Sequence, residues 1–162
     1  MEKISITISS SLMKFAAAHF TLFSLVAREN IHGHNFTVTV KLESWLREDG
    51  LAFDYGLFKK RFAEYCSVLD EKLLLPLHSP YLKIDRQDQY IRALFDQETL
   101  LFLPRDVELL PIANSTVEGL AQYFLKKILV EQPLIDENQV DQMTVIVSSG
   151  PGQSGEIRWV RK

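Results

Sequence analysis

The feature that most constrains this chain is the alternation running from His32 to Glu43. His32, His34, Phe36, Val38, Val40 and Leu42 share one parity, and Asn35, Thr37, Thr39, Lys41 and Glu43 share the other. Side chains of an extended strand point to opposite faces with a period of two, so this segment is a long strand with one apolar and one polar face. Such a strand needs partners, and the flanking sequence offers them. Ile4, Ile6 and Ile8 alternate with Ser5, Thr7 and Ser9, and Met13, Phe15, Ala17 and His19 again share a parity, which predicts strand, bend, strand. Met143 to Ser148 and Glu156 to Val160 read as two more strands, joined through the turn-forming run 150–155.

Between these strands the period changes. Asp54 can cap a helix predicted over Gly56 to Leu73, with Phe58, Phe62, Tyr65 and Leu69 on its apolar side. Ser115-Thr116-Val117-Glu118 reads as a capping box opening a second helix, whose stripe is Val117, Leu120, Ala121, Phe124, Ile128 and Leu129 and whose stop is Gln132-Pro133. Pro76 to Pro111 is less regular, with a hairpin predicted from Gln89–Leu94 and Glu98–Leu103 turning near Asp96. The order β-β-α-α-β-β predicts an α+β fold in one domain over 1–162. Its core is a four-stranded antiparallel sheet with two helices on one face and a small hairpin insertion between the helices.

Charge and composition narrow the function. Eighteen basic against 21 acidic residues give a net charge of −3, with no cationic field for a nucleic-acid backbone. The longest apolar-rich stretch, Leu12 to Ala27, is interrupted by Lys14, His19, Thr21 and Ser24 and falls short of the roughly 20 residues that span a bilayer. The N-terminus does not read as a signal peptide. The lone cysteine, Cys66, is consistent with a reducing compartment and reads as a small hydrophobe on the first helix. A cytoplasmic enzyme or binding module, with no nucleic-acid or membrane partner, is expected.

The histidines point to metal chemistry. His32-Gly33-His34 places two imidazoles on one face of the long strand, and antiparallel pairing with the strand ending at His19 would bring a third across from them. Neutral imidazole is a good zinc ligand, and three protein ligands leave a fourth position for water or substrate.

In order along the chain stand A-A-H ending at His19, H-G-H-N-F from His32, D-Y-x-x-x-K from Asp54, L-D at Leu69-Asp70, and S-T-V-E-G-L-A from Ser115. This series, over approximately Phe15 to Glu156, resembles the 6-pyruvoyl-tetrahydropterin synthase and 6-carboxytetrahydropterin synthase family. The resemblance implies a tunnelling fold, zinc on His19, His32 and His34, a pterin substrate, and homo-oligomers, commonly hexamers, assembled through sheet edges. It also marks Pro76–Pro111 as an insertion beyond the minimal pattern.

Three positions depart from that pattern. The family's usual cysteine base before H-G-H is absent, and Glu29 resembles a variant branch in which glutamate replaces it and the pterin side chain is cut to hydroxymethyl. Glu29 is therefore the expected general base, provided burial raises its pKa; a solvated loop carboxylate is the alternative. The family's L-D-H relay appears as Leu69-Asp70-Glu71, so Asp70 and Glu71 are either proton-transfer assistants or the solvated end of a helix. Ser149 stands where the family carries a pterin-anchoring glutamate, and a neutral hydroxyl cannot offer its charged bidentate acceptor. Thr116 and Glu118 match the family's T-x-E segment as substrate-binding candidates, with Glu118 equally explained as the capping-box acid. The expected function is a zinc-dependent, pterin synthase-like lyase acting on 7,8-dihydroneopterin triphosphate or a related pterin side chain. The alternatives are a non-catalytic zinc- or ligand-binding paralogue and an enzyme for a different heterocycle on the same scaffold.

Overall fold

The computed structural model describes residues 2–162. Its central element is β3 (His32–Trp45), the strand marked by the long alternation. Strands β1 (Lys3–Ile8) and β2 (Lys14–His19) both pair antiparallel with β3, one after the other, with residues 9–13 forming the bend between them. On the other side β3 pairs with β9 (Gln142–Gly150), which turns through Pro151 and Gly152 into β10 (Gln153–Val160). Gly152 at φ +87° supplies the left-handed conformation that this tight turn requires.

The register carries the core. Phe15 lies opposite Phe36, Val38 opposite Val147, and Val40 opposite both Ile8 and Val145. These residues are buried beneath α1 (Tyr55–Leu69) and α2 (Val117–Leu129), which contribute Phe58, Phe62 and Leu69, and Leu120, Phe124 and Ile128. Phe15 and Phe36 stack with centroids 5.1 Å apart. Asp54 caps α1 by accepting the N–H of Gly56 at 2.8 Å, as its position before the apolar stripe predicts.

The sheet is larger and less uniform than the predicted four antiparallel strands. The first helix ends at Leu69 rather than Leu73, and Lys72–Pro76 forms β4, parallel to β2. On its far side β8 (Val107–Leu110) pairs parallel with β4, giving a mixed seven-stranded sheet. The run Leu73-Leu74-Leu75 is ambiguous in sequence because β4 is buried on both faces. Leu74 belongs to the helix-side core, whereas Leu73 and Leu75 pack in a second core with Phe20, Leu22, Ile91 and Phe95. That second core lies under a three-stranded meander, β5 (Lys83–Gln87), β6 (Tyr90–Phe95) and β7 (Glu98–Phe102). The predicted hairpin is β6–β7, turning at Asp96, which adopts φ +47°; β5 completes it.

Two helix ends also differ. Thr116, not Ser115, caps α2, its hydroxyl accepting the N–H of Gly119 at 3.3 Å, so the predicted Ser115–Glu118 capping box does not form. Ser115 is fully buried and donates to the Leu74 carbonyl at 2.9 Å, which removes it from capping. Pro133 lies in the first turn of a short helix, α3 (Gln132–Glu137), where a missing N–H costs nothing, rather than acting only as a stop. Among the described residues no helix is long and apolar enough to cross a membrane.

Candidate metal centre

The core register also assembles the histidines. In the β2–β3 pairing His19 lies directly opposite His32, and His34 is opposite Ala17, two residues earlier on β2. All three rings therefore emerge on the face that holds Phe15 and Phe36, at its end beyond the aromatic core. Ring centroids are 4.6 Å apart for His19–His32, 5.2 Å for His19–His34 and 4.9 Å for His32–His34. One nitrogen from each ring falls within 4.8 Å of the others. Phe36 meets His19 and His34 edge-on at 5.4 and 5.7 Å, so the core props two of the rings.

Backbone carbonyls orient two of the three imidazoles. His19 Nδ1 donates to the carbonyl of Ser115 at 2.6 Å, and His32 Nδ1 donates to that of Asn30 at 2.8 Å. With the proton on Nδ1, the lone pair lies on Nε2, and outer-shell bonds of this kind fix the tautomer of metal-binding histidines. His19 Nε2 is buried and has no partner among the described residues. Burial holds the His19 imidazole below its ordinary pKa, the Ser115 carbonyl opposing and the other two imidazoles reinforcing the shift. A buried, neutral, partnerless nitrogen aimed at two further imidazoles fits a divalent metal that accepts nitrogen ligands.

Glu29 is carried beside this cluster by a loop fastened at both ends. Leu22 and Arg28 form an isolated antiparallel bridge, and the N–H of Glu29 donates to the Thr21 carbonyl at 2.9 Å. Glu29 Oε2 accepts the Thr21 N–H at 2.9 Å and lies 4.0 Å from His32 Nε2. The side chain is 37% exposed. Its pKa is lowered, not raised as the sequence argument required. Partial desolvation pushes it up, but the hydrogen bonds to Thr21, with His32 and His19 adding to them, outweigh that push. The carboxylate is held ionised because the loop hydrogen-bonds its charged form.

The other candidates are more scattered. Asp70 follows α1, and its Oδ1 accepts the N–H of Ala16 at 2.7 Å; Glu71, at φ +59°, returns its own N–H to the Ala16 carbonyl at 2.7 Å. This pair of bonds moors the helix end to β2 and starts the parallel β4, giving Asp70 a structural task that a solvated helix end lacks. Glu71 borders a concavity of about 610 Å³ with Gly33 and His34. Ser149 borders another of about 650 Å³ with His34, Asn35 and Ser148, and its hydroxyl engages Gln153 Oε1 at 3.3 Å. Thr116 and Glu118 border neither concavity; Thr116 is the α2 cap and Glu118 is exposed in the first turn.

Sequence reasoning did not find Ser115 and Asn30, which act through main-chain carbonyls and so leave no side-chain signal. Nor did it find Asn114, whose amide exchanges two hydrogen bonds with the backbone of Leu22, at 3.1 and 2.8 Å, and ties the Glu29 loop to the entry of α2.

An α+β fold with a mixed sheet, whose helix-covered face ends in three convergent imidazoles, defines a protein with a group of side chains that could hold a metal ion. Comparison with known proteins makes the assignment specific: the chain belongs to the 6-pyruvoyl tetrahydropterin synthase family, whose profile matches residues 7–158. A Methanocaldococcus jannaschii protein provisionally named 6-carboxy-5,6,7,8-tetrahydropterin synthase is 30% identical over 147 residues, 90% of each chain. The structure of Plasmodium vivax 6-pyruvoyltetrahydropterin synthase, in a catalytic-residue variant with glutamate replaced by alanine, superimposes with a TM-score of 0.93. It is 27% identical, and the match covers 99% of this chain and 100% of that one. The Plasmodium falciparum 6-pyruvoyl tetrahydropterin synthase gives a TM-score of 0.91 at 28% identity, over 98% and 99% of the two chains.

Proposed function

We propose that this chain is a zinc-dependent pterin synthase of the lyase type, acting on the side chain of 7,8-dihydroneopterin triphosphate or a close relative. The observation that carries the reading is the Glu29 carboxylate 4.0 Å from the outward nitrogen of His32, in a cluster of three imidazoles. His19, His32 and His34 would hold zinc, which when bound supplies a Lewis acid that makes a side-chain hydroxyl more acidic. Glu29, fixed through one oxygen by the Thr21 N–H, accepts the proton of that hydroxyl; its lowered pKa keeps it ionised but makes it a weaker base, so the driving force for the transfer rests on the acidified hydroxyl. The electrons left on oxygen form a carbonyl as the neighbouring carbon–carbon bond breaks, and the electrons of that bond pass into the pterin ring. The proton on Glu29 then returns to the shortened side chain. A relative of this similarity whose catalytic residue is a glutamate supports a carboxylate in the base role.

In this reading Glu71 and Ser149, which border the concavities shared with His34, contact substrate, while Asp70 keeps the helix end in place. Thr116 and Glu118 are assigned a supporting part at the start of α2. The chain works in the cytoplasm as a homo-oligomer joined through sheet edges, since β10 and β8 end the sheet.

The test is incubation of zinc-loaded protein with 7,8-dihydroneopterin triphosphate, with products followed by mass spectrometry. Wild-type protein is expected to shorten the side chain, and Glu29→Gln to lose about 10²- to 10⁴-fold in kcat while keeping its metal. Full turnover by Glu29→Gln would remove Glu29 from the base role. A second reading, a non-catalytic paralogue or an enzyme for another heterocycle, draws on Ser149, whose neutral hydroxyl is already engaged with Gln153. Stoichiometric zinc without turnover of this substrate would select it.

A further inference from the structure

The meander β5–β7 is packed against the residue next to the proposed base. Arg28 leaves the loop towards β6 and β7, where its guanidinium lies 5.3 Å from the ring centroid of Phe20 and 5.7 Å from that of Phe95. Its Nε and Nη2 both donate to Glu98 Oε2, at 2.7 and 2.5 Å. Its remaining arm, Nη1, donates to the main-chain carbonyl of Glu29 at 2.8 Å. The side chain is only 14% exposed although it carries a permanent charge. A guanidinium that is largely desolvated, stacked on aromatic rings, paired with a carboxylate and bonded to a carbonyl has little freedom left.

The contacts with Phe20, Phe95 and Glu98 join the Glu29 loop to the second core and its meander. Phe20, Phe95, Leu22 and Leu73 belong to that core, and Glu98 is the first residue of β7. Anchored on the meander, the Arg28 guanidinium bonds back to the main-chain carbonyl of the next residue, Glu29, and so restrains where its Cα sits, while the Thr21 N–H sets the carboxylate. Catalytic geometry is sensitive to displacements of about 1 Å, which can cost on the order of 10²-fold in rate.

We infer that Arg28, held by Glu98 and by the rings of Phe20 and Phe95, is a positioning residue for Glu29. The meander between the helices is then the brace that keeps the proposed base in register with the histidine cluster. This inference rests on the reading of Glu29 as the base. Arg28 itself does not touch the reacting atoms: its three hydrogen bonds go to Glu98 and to the loop carbonyl. Lysine replaces it only in part, because a single ammonium keeps the charge opposite Glu98 but cannot hold Glu98 and the Glu29 carbonyl in the same fork geometry.

The experiment compares Arg28→Met, Arg28→Lys, Glu98→Gln and Glu29→Gln with wild type, all zinc-loaded and of the same oligomeric state, using 7,8-dihydroneopterin triphosphate. Arg28→Met is expected to lower kcat by about 10- to 100-fold with KM within about twofold and unchanged metal content. Arg28→Lys should recover part of that loss, and Glu98→Gln should fall between wild type and Arg28→Met. A crystal structure of Arg28→Met should show the Glu29 carboxylate displaced from the Thr21 N–H. An Arg28→Met protein with wild-type kcat, or with Glu29 unmoved, overturns the inference, as does a loss confined to KM or to metal content. Full turnover by Glu29→Gln instead overturns the reading of the base. If wild type itself does not turn over this substrate, the position of Glu29 in the Arg28→Met crystal still decides whether Arg28 holds it.

Discussion

Zinc added to metal-free protein should stabilise the fold, and the histidine geometry sets how much of that gain each ligand controls. Three imidazole nitrogens lie within 4.8 Å, two of their rings already held by carbonyls, so little ordering remains to be done on binding. A ligand present at 1,000 times its Kd adds about 4 kcal/mol to the folded state. For a chain of this size that corresponds to a rise in Tm of roughly 8–16 °C. His32→Ala is the cleaner perturbation: the imidazole is 38% exposed and its one hydrogen bond, to the Asn30 carbonyl, is open to solvent, so its removal costs the metal-free protein about 1 kcal/mol, yet it should abolish most of the zinc-induced shift. His19→Ala behaves differently. It also strands the Ser115 carbonyl in a buried setting, at a cost of about 1–3 kcal/mol with or without metal. Differential scanning calorimetry of the three proteins, each with and without zinc, reads both effects. A zinc-induced shift as large in His32→Ala as in wild type, or none in wild type, would refute the assignment of the ligands.

Other expectations concern the scaffold. Gly119→Ala and Gly155→Ala should each destabilise by about 1–3 kcal/mol in urea unfolding, Gly119 the more, because the new Cβ would meet the Asn114 carbonyl at 2.2 Å in one case and the Glu118 N at 2.9 Å in the other. Burial pushes the Cys66 thiol up to about 12, with the nearby Asp70 charge adding to it, so the native protein should resist thiol reagents at pH 8 and react only on unfolding. The Asp136 carboxyl is held below its ordinary value by Arg161 and then Gln132, so the stability it contributes is complete above the unfolded pKa of about 3.9 and is lost as pH falls through the lower native value. Asp136→Asn should therefore flatten the acid limb of a stability-against-pH curve, and an unchanged limb would contradict that linkage.

The parts of the fold legible in sequence are those with one buried face. The alternation of β3 and the helical stripe of α2 each carry a period, and both elements stand where the period places them. What escaped lacks a one-sided pattern. β4 is buried on both faces between two cores, so Leu73-Leu74-Leu75 shows no alternation and could be read as a continuation of α1. The Ser115 cap failed for a related reason: a buried serine bonded to the Leu74 carbonyl looks, in sequence, the same as an N-cap serine. In the site, the three histidines were visible because they are side chains in register, whereas the carbonyls of Ser115 and Asn30 that orient two of them are backbone atoms with no residue type to betray them.

Core and site share one determinant, the β2–β3 register. With a period of two, the pairing that puts Phe15 opposite Phe36 also puts His19 opposite His32 and His34 on the same face. A slip of one residue would carry every one of these side chains to the opposite face at once, losing the aromatic stack and dispersing the imidazoles together. The free energy that specifies the cluster therefore comes largely from the hydrophobic core beside it rather than from the histidines, two of which remain partly open to solvent. The cluster can then form before any ion arrives, and a metal that binds it meets rings already propped by Phe36 and tied to main-chain carbonyls.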